Sequence, residues 1–268
     1  MPNPAGGPAP GLGELGALLF ARLGPQGWWP AETAAEMIVG AVLTQGVAWE
    51  NAARAIARLR AAGLLDLAAL ATASPQALAP LIRSAGYFNV KAKKLVAVAR
   101  HVTEAGGIGG LARVAPAPVR AGLLQVFGVG PETADAILCY ALGRPALVAD
   151  AYARRVLARI GCLPPRLAAS YAAAQAWLLP RLPEGADAAW LGEFHALLVA
   201  VGKDWCRPRA PRCPGCPALP LCVYGRGQRA SGGGAESGGG AESGGGAESG
   251  GGAESGGEAE SEGGAESD

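Results

Sequence analysis

Apolar residues recur three and four positions apart over most of the first 225 residues, the spacing of helices that each bury one stripe. Residues 12–23 form the first such segment. In 33–44 the apolar set is Met37, Val39, Val42 and Leu43. In 48–61, Ala52, Ile56 and Leu59 face inward and Arg54, Arg58 and Arg60 outward. Residues 64–71 make a short segment, and Ser74 can cap a helix through Ile82 with Pro75 at its first position. Residues 90–105 turn Leu95, Val96 and Val98 inward, and the glycines of 106–110 break that helix. Further segments follow at 118–126, 151–160, 168–179 and 186–201, the last ending at Gly202. No alternating segment finds a partner strand, so the pattern predicts an all-α fold of helices packed on helices.

One stretch departs from plain periodicity. Residues 123–155 read as a helix, a tight Gly128-Val129-Gly130 turn, a second helix and a lone Asp150 after the apolar run 146–149. Gly128 and Gly130 allow backbone angles that other residues resist, and Pro131 suits the first position of the following helix. Ala134, Ile137, Leu138 and Ala141 make its apolar stripe. A helix N-terminus behind a glycine turn presents free N–H groups and can hold a phosphate. The same turn serves many proteins as a mere connection, and an Asp after an apolar run is commonly a helix cap.

Composition changes the picture at the C-terminus. Residues 231–268 repeat Ser-Gly-Gly-Gly-Ala-Glu, four times intact and twice altered, with no apolar side chain larger than Ala. Such a segment cannot bury enough surface to offset chain entropy, so 226–268 is expected to be a disordered acidic tail. Nine of the chain's 22 acidic residues lie in it and none of the 23 basic ones, so a net charge of +1 conceals a body with an excess of about ten positive charges. A basic body points to a polyanionic partner. No 18-residue apolar run offers a membrane span and no signal peptide is evident, so a cytoplasmic protein is expected.

In that compartment cysteines bind metal more often than they form disulfides. Cys206, Cys213, Cys216 and Cys222 follow a Cys-x6-Cys-x2-Cys-x5-Cys pattern in a Pro- and Arg-rich loop. Four thiolates suit Zn²⁺ or an iron–sulfur cluster alike. Cys139 and Cys162 lie in apolar helical contexts and read as core residues.

Together these features resemble the endonuclease III superfamily of DNA repair glycosylases. The segment 123–138 resembles its helix–hairpin–helix, Asp150 stands where that family has its catalytic Asp, and the cysteine spacing is similar to its [4Fe–4S] signature. The resemblance covers about residues 12–225, and it favours the [4Fe–4S] cluster over Zn. It implies two helical lobes around a DNA cleft. One comprises 33–145; the other combines 1–32 with 146–225 and the cluster loop. The implied partner is double-stranded DNA with a damaged base, bound by a monomer.

Where endonuclease III carries a Lys that forms a Schiff base, this chain has Glu132. A carboxylate cannot form one, so the expectation is a monofunctional glycosylase in which Asp150 stabilises the sugar cation and orients water. Burial is expected to raise the Asp150 pKa. The alternatives are a bifunctional glycosylase/lyase acting on oxidised pyrimidines, and a non-catalytic damaged-DNA-binding protein.

A second resemblance, to the 3-methyladenine glycosylase branch, rests on residues 28–30, 43–45 with Trp49, 85–91 and 134–140. It implies a pocket of Trp28, Trp29 and Trp49 sandwiching the flipped base, with roughly 0.5–2 kcal/mol of cation–π attraction for an alkylated purine. Gln45 is expected to plug the gap left by flipping. Gly128, Gly130, Lys91, Lys93, Lys94, Arg207, Arg209 and Arg212 are the expected phosphate contacts. Tyr152, His195 and Lys203 receive no role.

Overall fold

Thr33 starts the helix that the rest of the chain surrounds. Its hydroxyl accepts from the Glu36 amide (3.1 Å) and opens α2 (Ala34–Leu43), which follows α1 (Leu12–Leu23). Every residue of α2 from Glu36 to Leu43 is buried. A helix apolar on all sides belongs at a core's centre. The one charge it buries, Glu36, is met by Arg60 at 2.6 Å. Gly40 is required there: a Cβ would lie 2.9 Å from the Trp29 indole nitrogen.

The computed structural model describes residues 9–232. Beyond α2 come α3 (Trp49–Ala61), α4 (Leu67–Thr72), α5 (Pro75–Leu78) and α6 (Phe88–Glu104). Then follow α7 (Gly107–Ala112), α8 (Pro116–Leu124), α9 (Pro131–Ala136), α10 (Ala151–Ile160), α11 (Tyr171–Leu178), α12 (Ala188–Asp204) and α13 (Val223–Gly232). Among the described residues there is no strand, and these residues form one packed unit. No described helix is long and apolar enough to cross a membrane.

The glycines of 106–110 break the helix as expected, α6 ending at Glu104, and Gly106, at φ +83°, caps a further short helix, α7. Two expectations are corrected. The segment after Ser74 is helical only over Pro75–Leu78. The expected disorder from 226 does not hold for 226–232, which lie in α13; that helix packs on α10 and sets Val223 against Gly161. The rest of the repeat tail lies outside the described residues.

A π-turn at Ile137–Ala141 continues α9. Such bulges recur at functional sites because they re-aim side chains. Here the turn packs against α2 and α12 and carries Tyr140 between them.

Candidate active site and nucleic-acid face

Asp150 is both cap and candidate catalyst. The buried run of Ala146, Leu147, Val148 and Ala149 delivers it to the start of α10, where its carboxylate accepts from the Ala153 amide at 2.7 Å. The positive end of α10 favours the anion. The side chain keeps 16% of its surface exposed, so a ligand can reach it. His195 Nε2, from α12, stands 3.7 Å from Asp150 Oδ2. On the far side of that ring, Nδ1 lies 2.6 Å from the Tyr140 hydroxyl, which is also 2.8 Å from the Gly192 carbonyl.

The expected upward shift of Asp150 is corrected by this setting. Burial pushes its carboxyl up, but the polar contact and charge of His195, the Ala153 amide and Arg154 outweigh burial and hold it below the ordinary carboxylate value. Glu132, in the first turn of α9, goes the other way. It is exposed by area yet flanked by protein, and that desolvation, followed by the nearby Asp150 charge, raises its pKa. Burial also drives the Tyr140 phenol far above its usual range.

The tryptophans join this site. Trp28 and Trp29 have ring centroids 5.0 Å apart, and Trp49 lies 5.3 and 5.8 Å from them. Trp29 is 5.7 Å from Tyr140, which is 5.8 Å from His195. Residues from five segments thus make one aromatic path that ends at Asp150. The indole N–H groups of Trp28 and Trp29 are buried with no hydrogen-bond partner, an arrangement that costs free energy unless a ligand accepts from them. Sequence reasoning missed Tyr140 and His195 as members of this path. The signal it had for Tyr140 was the resemblance over 134–140; for His195 there was only a buried-face position on a long helix.

The hairpin face differs from expectation in detail. Gly128 has φ +82°, and a Cβ there would also meet the Lys94 side chain at 2.3 Å; Gly130 is extended, so its freedom is unused. Gln45 does not project. Its amide donates to the Gly128 carbonyl and the Thr133 hydroxyl, both at 3.0 Å, and it accepts from Lys94 Nζ at 2.6 Å. Lys91 is a correction: it is 2% exposed and cannot meet a phosphate. Its amine donates to the carbonyls of Leu43 (2.8 Å) and Ala85 (2.7 Å), and burial, then Lys94, lower its pKa to about 8. Lys93 is exposed. A missed residue is Tyr87, 80% exposed at φ +46° before α6. An exposed aromatic on strained backbone suggests a retained contact role.

Cys206, Cys213, Cys216 and Cys222 line one cavity with Arg159, Trp205 and Tyr224, enclosing about 270 Å³ with its mouth. None of the four is in a disulfide, and burial raises the pKa of Cys216 to about 11 and that of Cys222 as well. Among the described residues no three potential ligands converge as a single ion would need. The donor set is all sulfur, the ligand type that four-thiolate zinc and iron–sulfur sites share. Arg159 reaches Cys206 Sγ at 3.5 Å, and Arg155 donates to the carbonyls of Cys206 and Gly202. Arg209 and Arg212 are exposed; Arg207 is partly buried, its carbonyl held by Arg159. Cys139 and Cys162 are buried, which pushes each thiol up to about 12.

Known proteins are similar to this chain in sequence and in fold. A Methanocaldococcus jannaschii chain named as a DNA repair glycosylase is 39% identical over 198 residues, 72% of this chain and 87% of that one. Endonuclease III of Thermotoga maritima is 30% identical over 142 residues, 53% of this chain and 61% of its own length. An endonuclease III–DNA complex shares the fold with a TM-score of 0.65 at 22% identity, covering 82% of this chain and 95% of the other. The Helicobacter pylori 3-methyladenine DNA glycosylase bound to 1,N6-ethenoadenine gives 0.56 at 27% identity, covering 72% and 95%. Residues 39–179, which carry the hairpin, the π-turn and Asp150, match the HhH-GPD superfamily, and with these relatives they establish that the chain belongs to that superfamily of base excision DNA repair proteins.

Proposed function

We propose that the chain is a monofunctional DNA N-glycosylase that flips an N-alkylated purine from double-stranded DNA into the tryptophan path and hydrolyses its glycosidic bond. The observation that carries this is the pairing of Asp150 with Glu132 where a Schiff-base amine would be needed for strand cleavage. Two of the four lysines are engaged by other groups, which supports this reading. Lys91 is buried on two carbonyls, Lys94 holds Gln45, and Lys93 and Lys203 are exposed on α6 and at the end of α12.

As the bond to the base breaks, positive charge grows on the sugar. An ionised Asp150, fixed at a helix N-terminus, stabilises that charge without reorganising. It also orients the water that completes the hydrolysis. The electron-rich faces of Trp28, Trp29 and Trp49 attract a cationic base, and the two unpartnered indole N–H groups can donate to its acceptors. The 3-methyladenine glycosylase seen with ethenoadenine supports a modified-purine pocket for this chain. Backbone phosphates would lie against Gly128, Gly130, Lys93, Lys94, Arg207, Arg209 and Arg212. Tyr87 would fill the space the base vacates, joined by Gln45 once it leaves the Gly128 carbonyl and Lys94.

Cys206, Cys213, Cys216 and Cys222 fit a [4Fe–4S] cluster, their sulfurs lining one cavity with no oxygen or nitrogen ligand among them. When bound, such a cluster supplies a rigid centre that organises the arginine-rich loop. A damaged-duplex panel of methylated purines, oxidised pyrimidines and uracil tests the whole reading, each reaction split between alkali and no alkali. Strand breaks at methylated purines after alkali alone are expected. Breaks without alkali and a borohydride-trapped adduct would establish a lyase. Intact strands with DNA still bound would leave a non-catalytic binder.

A further inference from the structure

We propose that Tyr140 and His195 form a positioning pair that presents an imidazole N–H to the Asp150 carboxylate; its catalytic consequence rests on the glycosylase reading above. Proton counting carries the inference. The Tyr140 hydroxyl has one proton and two neighbours, the Gly192 carbonyl at 2.8 Å and His195 Nδ1 at 2.6 Å. A carbonyl only accepts. If the proton goes to Gly192, the short contact to Nδ1 requires a proton on Nδ1. Nε2 is then either bare or, in the imidazolium, also protonated. If the Tyr140 proton goes to Nδ1, the neutral ring carries its proton on Nε2. Only the bare case sets a lone pair against Asp150, and in a buried site that repels an anion. The other two arrangements aim an N–H at Oδ2.

Nε2 is a buried atom with no partner, on a residue only 5% exposed, and Asp150 Oδ2 is 3.7 Å away. That gap is about 0.8 Å beyond a good hydrogen bond. A small rotation of the carboxylate closes it. Gly192 is part of the device, because a Cβ there would lie 3.1 Å from the Tyr140 ring. The other charged groups facing the pair are Arg154 on α10, Glu132 on α9 and Glu193 on α12. Arg154 is tied to the Ala149 carbonyl at 2.9 Å, Glu132 and Asp150 disfavour each other's ionisation by like charge, and Glu193 disfavours ionisation of Tyr140. His195 is therefore the inward-facing donor from a different helix that can both aim the carboxylate and offset its burial.

The chain has two histidines, His101 and His195, so their ring nitrogens can be resolved by ¹⁵N NMR on the full-length protein. With His101→Gln for assignment, Asp150→Asn is expected to shift the His195 ring signals and leave those of His101 unmoved. Single-turnover excision against pH supplies the second readout. His195→Ala is expected to move the acid limb up by about one pH unit, a tenfold loss below that limb, with DNA affinity unchanged. His195→Gln, which restores an N–H, should move the limb back, and Tyr140→Phe should shift it part of the way. A His195→Ala profile that is merely scaled down, or a His195 ring indifferent to Asp150→Asn, overturns the proposal. If the wild type excises no lesion, the glycosylase reading falls and the pH consequence falls with it, while the ring signals still decide the contact.

Discussion

Asp150 is a helix cap, and the reaction proposed above gives the same side chain a second role as charge stabiliser. A cap must stand at a helix N-terminus with its oxygen toward the third amide, and it does, at 2.7 Å from Ala153 N. A charge stabiliser must be ionised and reachable, and the same helix end favours the anion while leaving one face open. The two roles separate by mutation. Asn caps about as well as Asp, so Asp150→Asn should keep the thermal midpoint and the DNA affinity while lowering excision by roughly 10²–10⁴-fold. Single-turnover kinetics beside a melting curve checks this. Asp150 was legible from the sequence through its place after an apolar run and behind a glycine hairpin. Its lowered pKa was not, because the main group that opposes burial, His195, is 45 residues away in the chain. The indole path was half legible: the tryptophans stand out by type, but their junction with Asp150 runs through Tyr140, whose direction a π-turn sets.

Helices were legible wherever one face is apolar and a cap is present. Thr33, Asp66, Ser74, Asp150, Ser170 and Asp187 each accept from an amide three residues on. What periodicity missed came from glycine, which permits either a break or a helix, as in α7. Lys91 shows a subtler failure. Read by charge it is a surface residue; read by period it stands four residues before Leu95, on the inward face of α6. The structure follows the period and spends the amine on the carbonyl at the end of α2 and the carbonyl of Ala85. Lys91→Met should leave both acceptors unpaired and cost about 1–3 kcal/mol for each buried group. The pH dependence adds a signature. With its pKa lowered from 10.5 to about 8, Lys91 binds fewer protons folded than unfolded between those values, so its contribution to stability improves as pH rises through that window. Urea midpoints at pH 7.5 and 10 should therefore show the wild type gaining relative to Lys91→Met at the higher pH.

At the scale of the molecule the charge is divided along the chain. The body holds all 23 basic residues, while nine of 22 acids are confined to residues 231–268. DNA affinity rests on counterion release from phosphates, so it depends on the basic excess that the duplex meets. The hypothesis is that an acidic segment tethered to that body competes for the same cations at an effective concentration set by its length. Deleting residues 231–268 should therefore tighten binding to undamaged duplex at low salt and steepen the fall of affinity with salt, as cations once neutralised by the tail become available to phosphate. The two proteins should converge at high salt, where tail and duplex alike are screened. On that hypothesis excision rates at saturating enzyme should not change, since competition for surface cations leaves the bond-breaking step alone. Equal affinities and equal salt slopes for the full-length and truncated chains would show that the tail leaves the DNA face alone.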